Sequence, residues 1–152
     1  IDEVETVMVG GITVRTDGPS VHDQAYRVDE ITFELDAGEG FEYKYRLEED
    51  AALVYSWEST GPVRIEMHSE ADDQPEGTAE FFDVIESSES GHGAFVAPFS
   101  GIHGWYWLNL NESQAISLTL QSSGFYSYAM ELRSDSRRRY EPTYVGEKTD
   151  SE

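Results

Sequence analysis

Between residues 101 and 109 the chain reads Gly101-Ile102-His103-Gly104-Trp105-Tyr106-Trp107-Leu108-Asn109, which gathers two of its three tryptophans into one short run. Such a run suits a β-strand, whose side chains alternate between two faces. His103, Trp105, Trp107 and Asn109 then point one way, and Ile102, Tyr106, Leu108 and Leu110 the other. Both faces have to meet something, so the strand belongs to a packed β fold.

The same alternation recurs along the chain. Ile31, Phe33 and Leu35 alternate with polar residues, and Asp36-Ala37-Gly38-Glu39-Gly40 turns the chain. Phe41, Tyr43, Tyr45 and Leu47 then alternate against Glu42, Lys44 and Arg46, the clearest half-buried strand in the sequence. Leu53, Tyr55 and Trp57 mark a third strand. Gly61-Pro62 leads into Val63, Ile65 and Met67, with Arg64, Glu66 and His68 on the other face. Residues 69–77 and 86–93 read as loops around a strand at 79–85, and residues 94–97 follow. After the tryptophan strand, Ile116, Leu118 and Leu120 alternate, and residues 125–132 can close the sheet. No helical period persists for three turns, and no internal repeat is evident. These signals predict an all-β, jelly-roll-like antiparallel sandwich of about eight or nine strands. Residues 26–132 form its single domain, 1–25 an N-terminal arm opening with a weakly apolar stretch and an Asp17-Gly18-Pro19-Ser20 turn, and 133–152 a polar, disordered tail. At 152 residues the chain buries roughly two thirds of its unfolded surface. No stretch approaches the roughly 20 apolar residues of a membrane helix.

Charge narrows the function classes. Against 31 acidic residues stand 10 basic ones, a formal net charge of -21. A phosphate-neutralising surface needs lysine and arginine, and the one basic cluster, Arg137-Arg138-Arg139, lies in the polar tail, so no nucleic-acid partner is expected. Lysine occurs only at Lys44 and Lys148. An acid-rich, lysine-poor surface resembles proteins adapted to salt, where screening over about 8–10 Å or less relieves self-repulsion. The absence of cysteine excludes disulfides and thiolate chemistry, and suits a secreted or periplasmic domain.

Four segments together resemble a known group: Gly38-Glu39-Gly40-Phe41-Glu42-Tyr43-Lys44; Val54-Tyr55-Ser56-Trp57 with Thr60-Gly61-Pro62-Val63; the 101–109 run; and Ser123-Gly124-Phe125-Tyr126. In order and spacing, over roughly residues 26–128, they are similar to bacterial membrane-anchored proteins with a GOLD-like (Golgi-dynamics-like) β-sandwich. The resemblance implies a jelly-roll-like domain held outside the cytoplasmic membrane, in the periplasm, by a helix upstream of Ile1, with a protein partner at that membrane. Eukaryotic GOLD domains serve protein–protein recognition in secretory traffic. This chain has neither their cysteine pair nor a coiled-coil or membrane segment in its tail, so a cargo-receptor role is not carried over.

Two constellations are candidates for chemistry. His68 and His103, joined by Glu70, Glu66 or His92, carry donors that suit zinc or copper. No short His-x-His spacing supports them, and the competing reading is that each histidine fixes a loop through hydrogen bonds. His22 and His92 read as solvated. The second constellation is aromatic. Trp105, Tyr106 and Trp107, with Asn109 and Trp57, would form a sugar- or partner-binding platform if exposed, against core packing for Trp57 and at least one of Trp105 and Trp107. No serine elbow, phosphate loop or dinucleotide fingerprint is present. The acidic loop Glu70-Ala71-Asp72-Asp73-Gln74-Pro75-Glu76 lacks ordered calcium-loop geometry. The expectation is a non-catalytic extracytoplasmic binding or interaction module. A zinc or copper protein using His68 and His103 and a carbohydrate-binding module stand as alternatives, and an edge strand leaves homo-oligomerisation open.

Overall fold

The computed structural model describes residues 5–16, 20–75, 77–135, 138–139 and 143–146. These residues are all-β and antiparallel, as the alternation predicts, and none is helical. β1 (Thr6–Val9) and β2 (Ile12–Arg15) pair only with each other among the described residues. The other strands share one sheet: β3 (Arg27–Leu35), β4 (Gly40–Leu47), β5 (Ala52–Ala71), β6 (Glu80–Val96), β7 (Gly101–Asn109), β8 (Ile116–Gly124), β9 (Tyr128–Asp135), β10 (Arg138–Arg139) and β11 (Thr143–Gly146).

β5 gives this sheet its two layers. Residues 53–59 pair with β8, and residues 63–71 pair with β7. β3 extends the first layer beyond β8, while β4 and β9 extend the second beyond β7. β6 follows β5 along both halves, so the layers curl over one core in a half-barrel, sandwich-like arrangement. The change of direction falls at Gly61-Pro62. Pro62 has no N–H for the ladder, and the pairing with β6 lapses between Glu58 and Val63.

Local signals misplace two boundaries here. Gly61-Pro62 reads as a break between strands, yet one strand of 20 residues runs through it. Residues 86–93 read as a loop, yet they lie inside β6. The glycines behind that second reading are beds for aromatic rings. Gly91 faces Trp57 and Gly93 faces Tyr55, and a Cβ built on Gly91 would collide with the Trp57 indole.

The inward faces meet in an aromatic core. Trp105 and Trp107 stack with centroids 5.3 Å apart, Trp57 meets Trp107 edge-on at 6.1 Å, and Phe33 reaches Phe41 at 4.3 Å. Burying each large apolar side chain contributes about 1.5–3 kcal/mol relative to leaving it exposed. The expected arm contains the β1–β2 hairpin, all of whose residues are exposed. The expected tail contributes the end of β9, β10 and β11, and Val145 of β11 packs against the core. The Asp17-Gly18-Pro19 turn signal, Glu76, Arg137 and the residues beyond Gly146 lie outside the described residues.

Candidate functional site

Strand parity builds a polar face on the outside of the second layer. Because Tyr43, Tyr45, Trp105, Ile65 and Met67 point into the core, their neighbours in β4, β7 and β5 point outward. The register aligns them in rows: Glu42, Tyr106 and Glu66; Lys44, Gly104 and His68; Arg46, Ile102 and Glu70. Gly104 makes the middle row possible. A Cβ there would collide with the Tyr43 carbonyl, and with no side chain between them Lys44 reaches across to donate from Nζ to the His68 carbonyl at 2.8 Å.

Lys44 is 2% exposed. Burial lowers its ammonium from 10.5 to about 8, against the opposing pull of Glu42, Glu70 and Glu66. His68 places Nε2 3.4 Å from Glu42 Oε1, its ring lies 5.1 Å from that of Phe81 on β6, and its buried Nδ1 has no partner among the described residues. Arg64 pairs with Glu66 and, at 3.3 Å, with Glu86.

At the far end of this face lies a cleft of about 650 Å³, lined by Arg46, Glu70 and Ile102 together with Gln24, Phe125 and Tyr128. Arg46 donates to Asp72 at 2.6 Å and to Glu48 at 3.1 Å, which ties the acidic β5–β6 turn to the sheet. The guanidinium is thereby engaged in holding the turn.

The sequence-predicted residues scatter. His68 and His103 sit one row apart on opposite faces of the same sheet, since His68 faces Gly104 while His103 faces Ser69. They therefore do not share a metal, and Glu70 lies on the His68 side alone. Among the described residues no three histidine, aspartate or glutamate side chains converge to hold an ion. His103 is fully buried, with Nε2 donating to the Phe99 carbonyl at 3.0 Å and Nδ1 accepting from Ser69 Oγ at 2.6 Å. Of the two neutral tautomers, only the Nε2–H form can donate to the Phe99 carbonyl, which cannot itself donate. Burial first, then the cations of Lys44 and Arg46, holds its pKa down at about 4.

The aromatic platform is likewise absent. Trp57, Trp105 and Trp107 are 3%, 2% and 0% exposed, which removes them as a sugar-stacking surface. Asn109 is a staple: its amide donates to the carbonyls of Leu35, Asp36 and Gln114, while its Oδ1 accepts from Asn111 N–H. Of the four proposed binding-surface residues only Tyr106 reaches the outer face. Lys44 and β6 were missed as site elements. The signal for Lys44 was a lysine set between Tyr43 and Tyr45 in an otherwise lysine-poor chain. No protein-family model matches this chain, and no curated protein matches it.

Proposed function

We propose that this chain is a non-catalytic protein-interaction module, working in the extracytoplasmic, membrane-anchored setting that its resemblance to GOLD-like proteins implies. One observation carries the reading. Most of the large apolar side chains left exposed lie on two elements with free strand edges, among them Val7, Met8, Val9 and Ile12 on the β1–β2 hairpin and Phe81, Phe82, Val84 and Ile85 on β6, while Val21, Tyr26, Val28, Val54 and Leu110 are scattered elsewhere. Contiguous exposed apolar surface marks partner-binding sites. An isolated hairpin is at best marginally stable in water, so β1–β2 in particular calls for a covering surface. Three of the groups suited to chemistry support the same reading, because Lys44, His103 and Asn109 are each engaged in internal hydrogen bonds.

Site-specific photo-crosslinkers test this in cells that make the chain. Placed at Met8 and at Val84, they should capture a defined envelope protein that a crosslinker at Glu112, in the β7–β8 loop, does not. Equal labelling at all three positions, or adducts only to cytosolic proteins, would contradict the reading.

A further inference from the structure

We propose that the free edge of β6 over residues 80–89 takes up an extended, cationic segment of a partner protein as an added strand, the segment alternating lysine or arginine with apolar residues. This rests on the interaction reading above and names its partner chemistry. Among the described residues β6 pairs with β5 alone, so every second N–H and C=O on its other edge faces outward. An extended peptide meets such an edge with main-chain hydrogen bonds and places alternate side chains on the two faces of the sheet.

The side chains at this edge specify what the added strand carries. Phe81, Phe82, Val84 and Ile85 are between 40% and 58% exposed, in a chain whose mean hydropathy is -0.54. Interleaved with them stand Glu80, Asp83, Glu86 and Glu89, and the sequence has no lysine or arginine between Arg64 and Arg133. Arg64 answers Glu86 from β5. Glu80, Asp83 and Glu89 have no cationic partner among the described residues. An apolar, acidic edge is thus complementary to a cationic strand with apolar alternate positions.

The same charges argue against a second copy of this chain. Pairing β6 with β6 sets carboxylates opposite carboxylates, which destabilises a ladder, between two molecules of net charge -21. A cationic strand meets the same edge with attraction in place of repulsion.

The test is a titration of the full chain with two ten-residue probe peptides, one alternating lysine and valine and one alternating glutamate and valine, read by amide hydrogen exchange at low and high NaCl. The lysine–valine peptide should slow exchange at residues 80–89 and bind at least about tenfold more tightly than its acidic counterpart, a difference of about 1.4 kcal/mol. Salt should weaken it. Asp83→Lys with Glu89→Lys should cost the lysine–valine peptide at least that factor; Glu86 is left in place because it pairs with Arg64. If that variant does not fold, the peptide charge swap on the unaltered chain decides alone. Equal binding of both peptides, protection elsewhere, no binding, or protection of β6 by self-association in the peptide-free chain would each overturn the proposal. Crosslinking from Met8 would still succeed in those cases if the broader interaction reading holds.

Discussion

At the scale of single residues, the buried cation and the buried imidazole set the pH dependence of the fold. Lys44 holds its proton less tightly folded, at about 8, than at its ordinary 10.5. Across that window the unfolded chain binds a proton that the folded chain has released, so stability rises with pH from 8 towards 10.5. Below pH 8 the full penalty applies, about 3 kcal/mol. Tyr43, pushed up to about 12 chiefly by burial, reverses the slope above its ordinary 10, because the unfolded tyrosine ionises first. Denaturant titrations should therefore show a maximum near pH 10, and Lys44→Met should flatten the rise while leaving the chain at pH 7 as stable or more so. A Lys44→Met protein with an unaltered rise would place the titrating group elsewhere. His103 acts on the acid side. Its folded pKa of about 4 lies below the ordinary 6.5, so its contribution is complete above pH 6.5 and is lost as pH falls towards 4. Stability in His103→Gln should depend less on pH between 4 and 6.5 than in the unaltered chain, with about 3 kcal/mol at stake.

At the scale of elements, the parity of β4 and β7 was legible because each carries a period-two pattern that a one-residue slip would turn inside out. That parity placed Trp105, Trp107 and His103 on one face and Tyr106 on the other, as the structure has them. What was not legible is register between strands. His68 and His103 each sit near a turn, and nothing local says that His68 meets Gly104 while His103 meets Ser69. The middle of β6, residues 86–93, reads as a loop for a related reason. Its serines and glycines have loop composition, and only the presence of Trp57 and Tyr55 across the ladder makes Gly91 and Gly93 strand residues. The Gly104 gap is the sharpest element-level prediction. Gly104→Ala drives a methyl into the Tyr43 carbonyl, with backbone as the obstacle, and should destabilise the chain by about 1–3 kcal/mol or more. A melting temperature within error of the unaltered chain would show that β4 and β7 can part more easily than their register implies.

At the scale of the whole molecule, the fold buries Lys44, His103 and Asn109 along with its aromatic core, and leaves outside most of its acidic side chains and the apolar residues of β1–β2 and β6. With a net charge of -21, self-repulsion opposes the compact state, and added salt screens it. The melting temperature should rise as NaCl is added, and a flat response would remove the reading of salt adaptation. The class of fold and its core faces followed from alternation alone; the free edge that the account makes functional followed only from which strands pair. The most direct test is residue-resolved amide hydrogen exchange on the free chain at several protein concentrations. Alternate amides along residues 80–89 should exchange at nearly unprotected rates while β4, β7 and β8 remain slow, independently of concentration. Uniform protection of residues 80–89, matching β7, would mean that the edge is already covered and would contradict the account.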